Sequence, residues 1–424
     1  MKTMKIIKTN IFIAAFLTLV VLNANAQTIF IATNGNDLSG DGSSVSPFAT
    51  IQKAVDAAPT SGSTIIILPG NYSGSGNYGV NLDGKILKVE SQQGPSATII
   101  NCQRNQAFIA HSTETTNTII QGLTITNGYV ASGADWGGQG IIDVQGTAGL
   151  TIRNCIFAQN KTLATYVTTT TGIVIQHGNS GVPVVLDHCL FYENTIGGGG
   201  WTSVGGGSAV VIGTCGAGSG IYVINVINCT IVSNTLYSSV ADFGGSYGGG
   251  VRWPISSDGF VLNTIVWGNS PSHAPAGWPG ATNFTINASS ISYTLADGLC
   301  KNAGIGMQNI DPLFANPATG DYSLEANSPA LNAGDPASPP NPDGSRVNLG
   351  AIPFAVDFPI INLVKAVTVN FVGLSVGTNY QLQVSGDLNS WTNFGAPFTA
   401  TNSFMTYSNY WNVSGWNQLF FRLH

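Results

Sequence analysis

Charge is what this chain has least of. Only 8% of its 424 residues are Asp, Glu, Lys or Arg, against about 25% in ordinary soluble domains. A surface coated with Lys and Glu is therefore excluded, and Ser, Thr, Asn and Gly must form the exterior. The 14 basic side chains face 20 acidic ones and form no cluster, which argues against nucleic-acid binding. Long apolar runs are missing after residue 22, so nothing beyond the N-terminus suits a bilayer span. Asn-Gly and Asp-Gly turns flanked by strands are scarce, which disfavours the hairpin meanders of propellers and sandwiches. Metal-site spacing of Cys and His is absent as well. Disorder is excluded by what is present: 43% of the residues are hydrophobic.

The N-terminus reads as an export signal over residues 1–26. Lys2, Lys5 and Lys8 precede an apolar run from Ile11 to Leu22, and Ala24 and Ala26 are the small residues a signal peptidase reads. The run is too short for a membrane helix. Cleavage would remove three lysines and leave an acidic, secreted chain without a transmembrane segment.

A repeat occupies the middle of the sequence. The segments around Cys155, Cys189, Cys229, Thr264 and Gly122 each place an Asn five residues later, at Asn160, Asn194, Asn234, Asn269 and Asn127. Each alternates apolar and polar residues and is rich in β-branched types, as strands are. A second strand-like element precedes four of them, opening at Gly140, Gly172, Ser208 and Gly250. Helix signals between these elements are missing. Short strands recurring in the same order without crossover helices stack best as coils of a parallel β-helix. Equivalent residues then lie above one another, predicting an inner ladder of Cys155, Cys189 and Cys229 and an amide ladder of Asn160, Asn194 and Asn234. Stacked side chains point the same way, which is poor disulfide geometry, so these three thiols are expected free. The pairing of Cys102, Cys215 and Cys300 is left open. Ser46 and Pro47 predict the start of a capping helix over 47–57 with Phe48, Ile51, Val55 and Ala58 on one face.

The opening Thr33–Asp37, the Ser46–Val55 run and Leu68–Tyr72 resemble the N-terminal entry of right-handed parallel β-helix proteins of the pectin lyase-like superfamily. The stretches Asn309–Phe314, Gly320–Leu324, Ser328–Gly334 and Asp343–Arg346 resemble the "choice-of-anchor Q" closing region of secreted bacterial β-helix proteins. Asn348 stands where that pattern has Asp, and Ile352-Pro353 replaces Tyr-Glu. The resemblance implies an all-β fold: a right-handed parallel β-helix (solenoid) of roughly seven coils over residues 27–357, with an N-terminal capping helix. After Phe358 alternating strands resemble a small C-terminal β-sandwich module over residues 358–424, a folding cap or a surface or glycan contact.

Families on this fold act on acidic polysaccharides, and their site motifs are largely missing here. The paired Asp and Gln strands of pectin methylesterases and the three Asp with Gly-His-Gly of polygalacturonases do not occur. The Asp187-His188-Cys189 run resembles one strand of pectate lyases, whose Asp binds Ca²⁺, but their arginine-proline base motif is reduced to Arg252-Trp253-Pro254. Neutralising a uronate carboxylate requires a cation and removing its neighbouring proton requires a base. The candidates for such chemistry are Asp143, Asp187, His188 and Arg252, with Asp187 the candidate metal ligand and Ca²⁺ the cofactor of a lyase. A plain turn is the structural alternative for Asp187-His188, whose slot reads Arg153-Asn154 and Ile227-Asn228 in neighbouring coils. The loops before the Gly-apolar strands carry Tyr129, Trp136, Tyr166, Trp201, Tyr237, Phe243 and Tyr247. If they enter the same strand of successive coils, these rings stack as a wall suited to sugars. Trp136, Trp201 and Tyr247 with Arg252 are the candidate substrate-binding residues. Arg252 is placed in line with Ile142, Val174 and Val210. Two functions follow: a monomeric secreted protein that binds polysaccharide without cofactor or catalysis, and a polysaccharide lyase or glycoside hydrolase.

Overall fold

The structure is a computed structural model that describes residues 26–132, 139–164, 171–177, 181–198, 207–212, 222–238, 251–252, 257–271, 284–285, 291–297, 304–351, 366–367, 369–406, 411–412 and 420–424. The expected leader up to residue 25 lies outside them. The chain divides into two compact units, Met1–Ala355 and Val356–His424.

In the first unit, strand pairing among the described residues is parallel from Thr28 to Ala296. Four sheets result. The first holds nine strands, from Thr28–Ile31 to Ile291–Ser292, and the second eight, from Gly70–Tyr72 to Leu295–Ala296. The third holds seven, from Val80–Asn81 to Phe284–Thr285, and the fourth five, from Tyr129–Ser132 to Ser270–Pro271. From Ile119 onward a coil visits the first, second, fourth and third sheets in turn before returning to the first. This is a parallel β-solenoid. The segments at Cys155 and Cys189 lie on successive rungs, as the repeat predicts.

Strand alternation explains the core. One first-sheet column, Ile65, Val89, Ile120, Ile152, Leu186, Val226 and Val261, is fully buried. On the second sheet Phe157 and Phe191 stack face to face, 4.7 Å apart. Two corners repeat with a left-handed residue. The corner after the first sheet uses Gly122, Asn154, His188, Asn228, Asn263 and Tyr293, and the corner after the second uses Asn127, Gln159, Glu193, Ser233 and Gly268. A short polar side chain tolerates this conformation best, which accounts for the abundant Asn.

Each corner is followed by a buried ladder. Asn160, Asn194, Asn234 and Asn269 stack so that the Oδ1 of each of the last three accepts from the backbone N–H and amide of the Asn on the preceding coil, at 2.9–3.1 Å. Each Nδ2 also donates to a carbonyl of the preceding coil. Cys155, Cys189 and Cys229 form the second ladder, continued by Thr264, whose Oγ1 accepts from the Cys229 N–H at 3.3 Å. Cys102, Cys155, Cys189 and Cys229 are all buried and free. Burial pushes the Cys102 thiol up to about 12 and raises Cys155 and Cys189 well above the ordinary range. Cys215 and Cys300 lie outside the described residues.

The structure corrects the repeat by one residue in its earliest unit. Thr124 pairs with Ile156, so Leu123 and not Gly122 shares the slot of Cys155, and Gly128 rather than Asn127 shares that of Asn160. Gly128 ends the ladder by donating its N–H to Asn160 Oδ1 at 2.8 Å, and a Cβ there would stand 2.8 Å from that same oxygen.

The capping helix also begins later than expected. It spans Ile51–Ala57, with Thr50 as N-cap. Ser46 and Pro47 precede it because Phe48 is held extended against the first strand, its N–H on Phe30 O and its carbonyl on the Ala32 N–H. Asp37 fixes the helix start by accepting from Ala49 N, Thr50 N and Thr50 Oγ1. The expected face holds, with Phe48, Ile51, Val55 and Ala58 buried.

Parallel strands do not continue to residue 357. Residues 304–351 form turns, a short 3-10 helix at Pro317–Thr319, a single parallel bridge from Gln308 to Leu295 and one antiparallel pair, Phe314–Asn316 with Asp321–Leu324. Prolines such as Pro312, Pro317, Pro329 and Pro336 remove ladder donors. This stretch instead packs Phe314, Tyr322, Ala330 and Leu349 on Leu190, Val232, Ile265 and Leu295, the outer face of the second sheet. The described parts of the second unit are small antiparallel sheets around Phe371, Leu374, Leu382 and Ala400. No helix among the described residues is long and apolar enough to cross a membrane.

Candidate functional site

On the outer face of the first sheet one column reads Ile66, Glu90, Gln121, Arg153, Asp187, Ile227 and Leu262. Side chains alternate across a strand, so these stand outward wherever Ile65, Ile152 or Leu186 stand inward. Arg153 and Asp187 therefore meet on adjacent rungs, and Arg153 Nε donates to Asp187 Oδ2 at 2.9 Å. Asp187 Oδ1 lies 2.6 Å from His188 Nδ1. Arg153 is exposed and Asp187 and His188 are half-buried, with side-chain exposures of 44%, 19% and 28%.

Burial pushes the Asp187 carboxyl up, but the His188 hydrogen bond and the charges of His188 and Arg153 hold it below the usual carboxylate range. His188 occupies the left-handed corner slot that is Asn154, Asn228 and Asn263 in other coils, with φ 53°. A His here meets the backbone demand less well than Asn, yet it places an imidazole beside a carboxylate. No bond from Nε2 to another described residue accompanies the one at Nδ1.

These residues do not fit a calcium ion. Calcium takes six to eight oxygens, whereas both Asp187 oxygens are engaged by cationic or N–H groups, and no three His, Cys, Asp or Glu side chains converge among the described residues.

Asp143 lies apart, on the third sheet. It is 1% exposed, and its Oδ2 accepts from Gln106 and Gln145 amides at 3.2 and 2.9 Å. Arg252 shares its column: Asp143, Ile175, Val211 and Arg252 are successive partners. The expected alignment of Arg252 with Ile142, Val174 and Val210 is thus off by one residue, because Val251 takes that column. Trp136, Trp201 and Tyr247 lie outside the described residues. Tyr129 and Tyr237 enter the fourth sheet, not the third, and occupy different columns: Tyr129 pairs with Lys161, Tyr237 with Gly197. Arg104 stacks on the Tyr129 ring, 4.7 Å from its centroid.

Sequence reasoning missed the fourth sheet and the Arg153–Asp187 ion pair. The slot equivalence of Arg153 and Asp187 was the signal for the pair, since adjacent rungs of a parallel stack touch.

No family model matches the chain, and no curated protein matches it. One similar solved structure is described as "Rhamnogalacturonan lyase"; it has 13% identity and a TM-score of 0.32, covering 77% of this chain and 96% of its own. Another, described as "The complex structure of XylC with xylose", has 11% identity and a TM-score of 0.21 over 68% and 87%.

Proposed function

We propose that the chain is an exported polysaccharide-binding solenoid of the pectin lyase-like type, holding a glycan along its long axis on the outer face of the first sheet. The Arg153–Asp187–His188 trio carries this reading. It is half-exposed polar chemistry on adjacent rungs of a rigid scaffold, while the outer face of the second sheet is closed by Phe314, Tyr322 and Leu349. A guanidinium, a carboxylate and an imidazole together bind hydroxyls and anionic groups. In this reading Arg252, on the third sheet, adds a cation apart from the trio, and Trp136, Trp201 and Tyr247 add rings for sugar stacking. Glycan-array binding by the native protein, weakened by Arg153→Gln and by the pair Trp136→Ala, Trp201→Ala, is the expected result. Unchanged binding in both folded variants sinks the reading.

A second reading, catalysis by a lyase or hydrolase, is favoured by the geometry of His188. An imidazole fixed at Nδ1 by a carboxylate, with Nε2 bonded to no other described residue, has the geometry of a group that exchanges a proton with a substrate. Incubation with plant, algal and animal polysaccharides separates the two readings: new unsaturated or reducing ends that vanish in His188→Asn support catalysis.

A further inference from the structure

In the second unit Arg422 is held in place by its neighbours, and among the described residues it has no carboxylate partner. Its three-stranded sheet orders Thr392–Asn393, Leu382–Ser385 and Phe420–Leu423, and Gln383 is the partner of both Asn393 and Arg422. Leu382, Phe421 and Leu423 face the small core, so alternation sends Gln383, Asn393 and Arg422 to the opposite, outward face. Trp391, two residues before Asn393, shares that face.

On it the polar groups run in one direction. Arg422 Nε donates to Gln383 Oε1 at 2.8 Å, and Gln383 Nε2 donates to Asn393 Oδ1 at 2.7 Å. This chain of bonds leaves, without a partner among the described residues, the two Nη groups of Arg422 at one end and the Asn393 amide at the other. Adjacent strands stand about 4.8 Å apart, so these ends are about 10 Å from each other. The guanidinium also lies 4.2 Å from the Trp391 ring centroid, and the indole is itself anchored by Nε1 on Leu388 O at 3.0 Å. Among the described residues no carboxylate pairs with Arg422. Nearby Asp387 is spent on its own turn, accepting from Asn389 N, Ser390 N and Ser385 Oγ. A guanidinium whose orientation is set by stacking and by Nε presents its remaining fork with little entropy left to lose, the arrangement that grips a planar or tetrahedral anion through two bonds.

We propose that Arg422, Gln383, Asn393 and Trp391 form a second glycan contact, which binds a carboxylate or sulfate on a polysaccharide through the Arg422 fork. The class of macromolecule rests on the polysaccharide reading above; the anion specificity rests on this face alone.

The test uses the full chain and affinity electrophoresis in polygalacturonate, in a sulfated galactan, in fully methyl-esterified polygalacturonate and in poly-glutamate. Arg422→Gln is expected to weaken retention by at least one anionic glycan about tenfold, to leave the esterified polymer unaffected, and to keep the thermal transition of the native chain. Which anionic glycan responds names the group, carboxylate or sulfate. Arg422→Lys should not restore binding, because a point charge lacks the fork, and Trp391→Ala should weaken it less than Arg422→Gln. Retention of both anionic glycans unchanged in folded Arg422→Gln overturns the site, even where Arg153→Gln loses binding and so upholds the solenoid reading. Arg422-dependent retention by poly-glutamate with none by the glycans overturns the assignment to polysaccharide.

Discussion

The first and second sheets come from the same coils and share one inner logic, yet their outer faces differ. Outside the second sheet Leu190, Val232, Ile265 and Leu295 are apolar, and residues 304–351 close over them. Outside the first sheet the rungs of Ile156 and Leu190 carry Arg153 and Asp187, with His188 at the corner, and the next two carry Ile227 and Leu262. One face is scaffold on both sides; the other is scaffold inside and chemistry outside. The difference shows that in a solenoid the inner columns and ladders maintain the fold, while an outer column is free to vary from coil to coil and so can host a site.

The strongest way to break this comparison lies in the ladders. Cys189→Arg overpacks a methyl-sized site and buries an unpaired charge, so no folded protein is expected by circular dichroism. In the native chain, thiol reagents should leave Cys102, Cys155, Cys189 and Cys229 unlabelled until denaturant is added, since all four are buried. Labelling at native conditions contradicts the buried stack.

Next comes Asn194→Ala. It removes the acceptor for the N–H and amide of Asn160 and the donor to Phe157 O. At about 1–3 kcal/mol for each buried group left without a partner, a loss of roughly 4 kcal/mol is expected in urea unfolding.

Tyr322→Ala probes the closed face. The ring packs on Tyr192 and Phe314, and its removal should cost about 3 kcal/mol and raise binding of an apolar dye. A loss no larger than that of an exposed substitution indicates that the closing stretch does not cover the second sheet.

The open face should behave in the opposite way. His188→Asn restores the residue found at Asn154, Asn228 and Asn263, so stability is expected within about 0.5 kcal/mol of native, with glycan contact or turnover reduced. A large loss of stability makes His188 part of the scaffold.

The smallest effect is on pH dependence. The Asp187 carboxyl is held low in the folded chain, so its pairing contributes stability above the unfolded value near 3.9 and loses it as pH falls through the folded value. Asp187→Asn should flatten the stability profile below about pH 4 and lower stability modestly at neutral pH, where the pairing contributes; an unaltered acid limb contradicts the pairing.

Most of the architecture was legible in the amino-acid sequence, because each coil repeats the same local demands. A small residue at Cys155, Cys189 and Cys229 and an Asn five positions later identify stacked corners, and β-branched alternation identifies the strands between. The slips have local causes. Gly122 and Asn127 mimic the repeat one residue early, since Gly and Asn suit the left-handed corner as well as the ladder. Val251 sits beside Gly250 in a Gly-rich approach that offers no side chain to fix register, so Arg252 was placed one column away from Asp143. Ser46-Pro47 carries a helix-start signal that loses to the pairing of Phe48 with the first strand.

By itself the sequence determined the solenoid, its two ladders and their reduced cysteines, because periodic burial can be read from periodic residues. Tertiary structure alone decided which outward columns were covered and which polar groups met. Arg153 and Asp187 are 34 positions apart, and Gln383 and Arg422 are 39 apart. The repeat slots point to the first contact, but the second leaves no local trace, since it depends on how many residues the intervening loops consume before the next strand settles into register.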